Sequence, residues 1–177
     1  ILPRIKSRCR LMSFSVVILA AGKGTRMKSE KPKVLHTVGN ASMLHHVMEV
    51  AKKAGAEETV IVAGHQAELI SEAAKRKSPD AQIVIQKKQL GTGHAVKQAE
   101  RLLGKCGKDV LILYGDVPFI KSETIFRLIK ARKTCDIAVL GFDTKHPGMY
   151  GRLISNDENI IGIVEAKDAT PEQLNIS

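Results

Sequence analysis

The chain has 177 residues, the length of a single domain, and 44% of them are hydrophobic, enough to bury a sizeable core. Its formal charge is +10, from 28 basic and 18 acidic residues, and only 3% are aromatic. Such a charge suits nucleic acid, an anionic membrane or a phosphorylated small molecule. The chain has no basic helix, aromatic stacking platform or zinc-finger spacing, which argues against nucleic acid, and no apolar run nears the roughly 18–20 residues that span a bilayer.

Residues 1–11, ILPRIKSRCRL, form a basic leader that carries Arg4, Lys6, Arg8 and Arg10 and no acid. It is transit-peptide-like in composition but reads as disordered or non-native upstream sequence, with Met12 opening a second start, MSFSVVILAAG. Cys9, Cys106 and Cys135 are odd in number and widely spaced, so they define neither a disulfide framework nor a metal pair. They are expected to be reduced thiols of a cytoplasmic protein.

Ser15–Leu19 is a β-rich apolar run broken by a glycine loop. Ser42 is placed to N-cap a helix from Met43 to about Ala54, with Leu44, Val47, Met48 and Ala51 on one face and Gly55 as its stop. Thr59–Ala63 is a second strand and Glu68–Lys77 a second helix, closed by Ser78-Pro79-Asp80. Gln82–Ile85 is a third strand, and Gly91-Thr92-Gly93 leads into a helix from about His94 to Leu103. Val110–Leu113 is a fourth strand, ended by Tyr114-Gly115-Asp116. A helix starts at Ser122 and runs through Phe126 and Ile129, and Asp136–Phe142 (DIAVLGF) reads as a fifth strand.

Strands alternate with helices, and the strands are continuous apolar runs. That combination predicts an α/β fold, a mostly parallel sheet with helices on both faces and right-handed crossovers. The rhythm then changes. Gly151–Ser155 and Ile160–Ala166 read as a β-hairpin turning at residues 156–159. Thr170-Pro171-Glu172-Gln173 reads as a capped helix start close to the end of the chain, as in an incomplete domain.

Ligands of a parallel α/β sheet bind outside the carboxyl ends of the strands, so chemistry is expected in three loops. The first, LAAGKGTRMKSEKPKVL, is neither a Walker loop nor a dinucleotide fingerprint. Thr25-Arg26 follows Gly24 where Lys-Ser/Thr is needed, and Met27 stands at the third-glycine position. Gly22 and Gly24 still let backbone N–H groups approach an anion, while Arg26 and Lys33 can balance a triphosphate. A solvated basic turn would have the same composition. In QKKQLGTGHA, Gly91 and Gly93 let backbone approach a flat base and Gln86 offers an amide to a base edge, although a strand-to-helix turn also uses glycines. In LYGDVP, Asp116 could hold Mg²⁺ or simply close a turn. The six histidines show no metal spacing, and no nucleophilic triad is readable.

Together the loops carry a resemblance. LAAGKGTRM followed by KPKVLH resembles the signature of sugar-phosphate nucleotidyltransferases. With QLGTGHA, LYGDVP, YGRL and GIVEAKDAT in this order, residues 12–177 are similar to the N-terminal uridyltransferase domain of the bacterial bifunctional N-acetylglucosamine-1-phosphate uridyltransferase/glucosamine-1-phosphate acetyltransferases. The resemblance implies a Rossmann-like nucleotide-diphospho-sugar transferase fold, UTP and N-acetylglucosamine 1-phosphate as substrates, and Mg²⁺ as cofactor. It further implies a homotrimeric parent whose acetyl-transfer activity lies outside these residues.

By the same resemblance Leu19, Ala20, Ala21 and Gly22 contact the nucleotide, and Arg26 and Lys33 are the catalytic cations. Gln86, Gly91 and Thr92 read uracil, Tyr114 and Gly115 line the nucleotide-sugar site, and Asp116 holds the metal. Gly151 and Glu165 contact the N-acetylglucosamine moiety. A second sugar-site asparagine and a metal-sharing asparagine of the family would fall beyond Ser177. The alternatives are another sugar-phosphate or molybdopterin nucleotidyltransferase, or a non-catalytic remnant.

Overall fold

The computed structural model describes residues 13–22, 24, 27–103, 109–156 and 159–177. The basic leader, Met12, Arg26, Cys9, Cys106 and the turn residues Asp157 and Glu158 lie outside the described residues. The chain falls into two compact units that divide after Lys130.

In the first unit the elements run β1 (Phe14–Ala20), β2 (Thr37–Val38), β3 (Ala41–Ser42), α1 (Met43–Lys53), β4 (Glu58–Ala63), α2 (Ala67–Lys77), β5 (Gln82–Ile85), α3 (Thr92–Leu103), β6 (Asp109–Tyr114) and α4 (Ser122–Ala131). Four strands form a parallel sheet in the order β5–β4–β1–β6, with Val17 of β1 opposite both Val60 of β4 and Ile112 of β6. Successive side chains of a strand point to opposite faces, and both faces of β1 are covered. Val16 and Ile18 pack with Leu44 and Val47 of α1, Ile70 of α2, and Ile125 and Ile129 of α4. Val17 packs with Val60, Val62, and Ala95 and Ala99 of α3 on the other side. This two-sided burial explains why β1 reads as an unbroken apolar run.

Local signals set the helix ends. The Ser42 hydroxyl accepts from the His45 N–H at 3.2 Å, an N-cap that contributes about 1 kcal/mol. Gly55, at φ +91°, follows the last turn of α1 in the left-handed region that favours glycine. Lys77, at the end of α2, bridges to Glu49 of α1 at 2.7 Å. The Lys77 hydrogen bond, reinforced by its charge, holds the Glu49 carboxyl below its ordinary value. A depressed carboxylate stabilises the fold above its unfolded pKa and loses that contribution as pH falls through the folded one. Lys77→Ala should therefore cost less than about 1 kcal/mol near pH 7 and nothing near pH 2. Urea denaturation of both proteins at the two pH values checks this.

The sheet and helices match the sequence reading, with ends shifted by a residue or two. Short features that were not expected include the 3₁₀ turns at Lys33–Leu35, Arg132–Thr134 and Ala166–Asp168, and the small antiparallel ladder of β2 with β3. One expectation is corrected. Asp136–Phe142 is not a strand; these residues belong to no sheet, and Ile137, Leu140 and Phe142 are exposed. An apolar run supplies strand propensity, but a strand forms only where another backbone edge pairs with it.

The second unit carries an antiparallel hairpin of β7 (Arg152–Asn156) and β8 (Asn159–Val164), with an irregularity between Ile154 and Ser155, then α5 (Pro171–Leu174). Arg152 is buried, and its guanidinium donates to the Tyr150, Gly148 and Leu174 carbonyls, tying the hairpin to α5. The expected capping box forms: Thr170 Oγ1 accepts from Gln173 N–H, and Gln173 Oε1 accepts from Thr170 N–H. Phe142 and Tyr150 meet edge to face at 5.1 Å.

Candidate active site

At the carboxyl rim of the four-stranded sheet, three loops enclose a cavity of about 320 Å³. The chain leaving β1 contributes Ala21, Gly22 and Gly24, the chain leaving β5 contributes Gln86, Gln89 and Gly91, and the turn leaving β6 contributes Asp116. Parallel strands make this convergence automatic, since all their carboxyl ends lie on one side.

The loops are fixed by close backbone contacts. Gly115 N–H donates to the Leu19 carbonyl at 2.9 Å, joining the turn after β6 to the end of β1. Gly64, just after β4, lies so close to the β1 loop that a Cβ there would sit 2.7 Å from the Ala21 carbonyl oxygen. That same oxygen accepts from Gln89 Nε2 at 2.8 Å. Gly24 has φ +59°, and a Cβ on it would stand 2.8 Å from Lys33 Cβ, so glycine is required twice over.

Lys33 opens the 3₁₀ turn, in which the following Val34 and Leu35 are buried. Those two side chains anchor the turn, and the lysine reaches across the cavity mouth. Its Nζ meets Asp116 Oδ2 at 2.7 Å, with both side chains part-exposed. Expected cation and expected metal ligand thus neutralise each other across the cavity. The first turn of α3 also contributes Thr92 to the lining and contains no acid, which leaves the positive end of the helix unopposed.

Of the residues singled out from sequence, the structure brings Leu19, Ala20, Ala21, Gly22, Lys33, Gln86, Gly91, Thr92, Tyr114 and Asp116 around this one cavity. Gly115 lies behind it, against the Leu19 carbonyl. Gly151 and Glu165 belong to the second unit. They flank the paired residues Arg152 and Val164, and so stand together at one end of the hairpin. Arg26 lies outside the described residues. Sequence reasoning missed Gln89 and the lining residues Val34 and Ala95. A polar amide in the QKKQLG loop was the available signal for Gln89; its partner, Ala21, is remote in the chain.

Among the described residues no cluster of three or more His, Cys, Asp or Glu could hold a metal. Asp116 already accepts a cation, the Lys33 ammonium, and stands at the cavity mouth. A single carboxylate in that position fits Mg²⁺, which takes one or two protein oxygens and completes its shell with phosphate and water.

An α/β sheet with an anion-compatible cavity on its carboxyl rim fits a nucleotide-binding protein, and the match of residues 16–158 shows which kind: the chain belongs to the MobA-like NTP transferase domain family. Over 159 residues it is 50% identical to the bifunctional protein GlmU of Ruegeria sp. (strain TM1040), a match that takes in 90% of this chain and 35% of that protein. The chain thus spans about a third of the length of such curated relatives, their N-terminal third. Among solved structures, HddC from Yersinia pseudotuberculosis superimposes with a TM-score of 0.70 at 24% identity, over 87% of this chain and 69% of that one. The manganese complex of Rv0371c from Mycobacterium tuberculosis H37Rv does so with 0.57 at 20% identity, over 69% and 60%. At such identities these two structures establish the fold alone, a parallel α/β sheet covered by helices.

Proposed function

We propose that the chain transfers a uridylyl group from UTP to N-acetylglucosamine 1-phosphate, giving UDP-N-acetylglucosamine and pyrophosphate. The observation that carries this reading is the gathering of the glycine loop, Lys33, Asp116 and the Gln86–Thr92 loop around one cavity, in a chain half identical to GlmU. The acceptor phosphate oxygen attacks the α-phosphorus as the bond to pyrophosphate breaks, so no covalent nucleophile is needed. What the protein must supply is alignment of two polyanions and neutralisation of charge moving to the leaving group.

In this reading the backbone of Leu19–Gly22 cradles the nucleotide and the Gln86–Thr92 loop meets the base. Lys33 leaves Asp116 to bind phosphate oxygens, and Arg26 adds a second positive charge. Asp116 would hold Mg²⁺, which when bound offsets charge on the phosphates. Tyr114 and Gly115 border the ribose or sugar side, and Gly151 and Glu165 contact the N-acetylglucosamine. The product would serve the synthesis of peptidoglycan and lipopolysaccharide precursors in the cytoplasm. Acetylation of glucosamine 1-phosphate and trimeric assembly would belong to the remaining two thirds of the relatives' length.

Nucleotide-dependent thermal stabilisation tests the reading. With Mg²⁺ present, UTP or UDP-N-acetylglucosamine at about 100 times Kd should stabilise the protein by about 2.7 kcal/mol, and GTP should not. Stabilisation by GTP alone would replace uridylyl by guanylyl transfer. Pyrophosphate release from UTP plus N-acetylglucosamine 1-phosphate separates an enzyme from a binding remnant.

A further inference from the structure

We propose that His94 is a positioning residue: by holding the Gln86 amide in one orientation, it makes the cavity accept a base with an imide N–H and reject cytosine. The proposal rests on the reading above that Gln86 meets the base.

Gln86 directly follows β5 and is 4% exposed, with its backbone N–H bound to the Ala63 carbonyl at 2.8 Å. Its side-chain Nε2 makes two contacts, to the Gly91 carbonyl at 3.1 Å and to His94 Nδ1 at 3.0 Å. A carbonyl can only accept, so Gly91 requires the NH₂ end of the amide on that side. Gly91 cannot easily move away, because its carbonyl also accepts the Ala95 N–H at 3.1 Å, at the start of α3. The second NH₂ hydrogen then meets His94 Nδ1. That nitrogen must carry its lone pair, so the neutral ring bears its proton on Nε2. Gln98 Nε2 lies 3.2 Å from His94 Nε2 while donating to the His94 carbonyl at 3.2 Å, and a neutral ring can accept from only one of the two amides. The half-exposed Gln98 can turn its amide to water, whereas the buried Gln86 is held by Gly91.

With both amide hydrogens engaged, Gln86 keeps only Oε1 for a ligand, and Oε1 makes no hydrogen bond among the described residues. Gln86 lines the cavity. An oxygen there accepts from the N3–H of uracil, or of thymine, which shares that edge. Cytosine presents an unprotonated N3, so two acceptors would face each other. A half-turn of the amide would suit cytosine, but it would set Oε1 against both the Gly91 oxygen and His94 Nδ1. Gly91 alone supplies one of those two restraints; His94 supplies the other. A buried polar group left facing its like is a stronger means of rejection than a missing apolar contact.

The test measures the ratio of CTP to UTP dissociation constants for the whole chain with Mg²⁺, by competition against a fluorescent UTP analogue. The wild type should prefer UTP, and Gln86→Leu should lose the preference. His94→Leu should lower the ratio about tenfold, through tighter CTP binding as well as weaker UTP binding, the value of one or two hydrogen bonds. His94→Asn, whose Oδ1 can stand in for Nδ1, should keep most of the ratio; a residue that only packs would not show this contrast. Independently of any variant, long-range ¹H–¹⁵N correlation of the wild-type imidazole should find Nδ1 unprotonated. A wild-type ratio in His94→Leu beside a lost one in Gln86→Leu overturns the proposal, as does a neutral ring protonated on Nδ1. If Gln86→Leu keeps the wild-type preference, or the wild type has none, the underlying assignment of Gln86 to the base has failed instead, and the proposal falls with it.

Discussion

Replacing Asp116 by Asn should lower Mg²⁺-dependent pyrophosphate release by a factor of about 10²–10³, the effect of removing one preorganised charge-stabilising group from a transition state. The shape is unchanged, because Asn differs from Asp only in one terminal atom. What changes is charge at the single point where the described part of the cavity offers a carboxylate. Asp116 sits on the turn after β6, which Gly115 fixes to the Leu19 carbonyl, so the side chain cannot be replaced by a shifted neighbour. Stability should change little, since the Lys33–Asp116 pair is part-exposed and such pairs contribute about 0–1 kcal/mol. A pyrophosphate assay, a thermal melt and Mn²⁺ titration of the same variant separate the outcomes. Wild-type Mn²⁺ affinity in the variant would remove Asp116 from the proposed metal role.

Gly64→Ala should produce the converse pattern, a damaged site reached from outside the cavity lining. The new methyl would lie 2.7 Å from the Ala21 carbonyl oxygen and 2.9 Å from Ala21 Cβ. Neither is the free end of a flexible side chain, so the strand end and the β1 loop must separate. Overpacking of this kind costs about 1–3 kcal/mol. The displaced loop includes the carbonyl that Gln89 holds and the residues next to Gly22. UTP affinity should therefore fall about tenfold or more, through misplacement by a fraction of an ångström to an ångström. A melt and a UTP titration read the two effects separately. Unchanged nucleotide affinity in a destabilised but folded variant would show that the loop yields without disturbing the cradle.

The central sheet was legible because its chemistry is local. β1 and β4 announce themselves by apolar residues at both parities, and α1 by the spacing of Leu44, Val47, Met48 and Ala51 together with the Ser42 cap. The convergence of Lys33 and Asp116 was legible one step less directly: both follow strands of one parallel sheet, and the strand ends share a rim. Contacts carried by backbone carbonyls were not. Gln89 bonds Ala21, and Gly64 packs on it, and nothing in either tripeptide names a partner so remote in the chain. Nor does the sequence reveal that the Gln86 amide nitrogen is already bound, leaving only its oxygen for a ligand. Asp136–Phe142 failed for a related reason: its composition is that of a strand, and composition does not supply the neighbouring edge.

The strand order has a consequence for biosynthesis. β1 lies between β4 and β6, and Ser15 pairs with Val110. During translation β1 emerges first, gains a neighbour when β4 arrives, and stays open along its other edge until β6 has left the ribosome. Long-range parallel pairing of this sort forms slowly and leaves an apolar edge exposed meanwhile. A nascent chain halted before Asp109 should accordingly be a better chaperone client than one released after Tyr114.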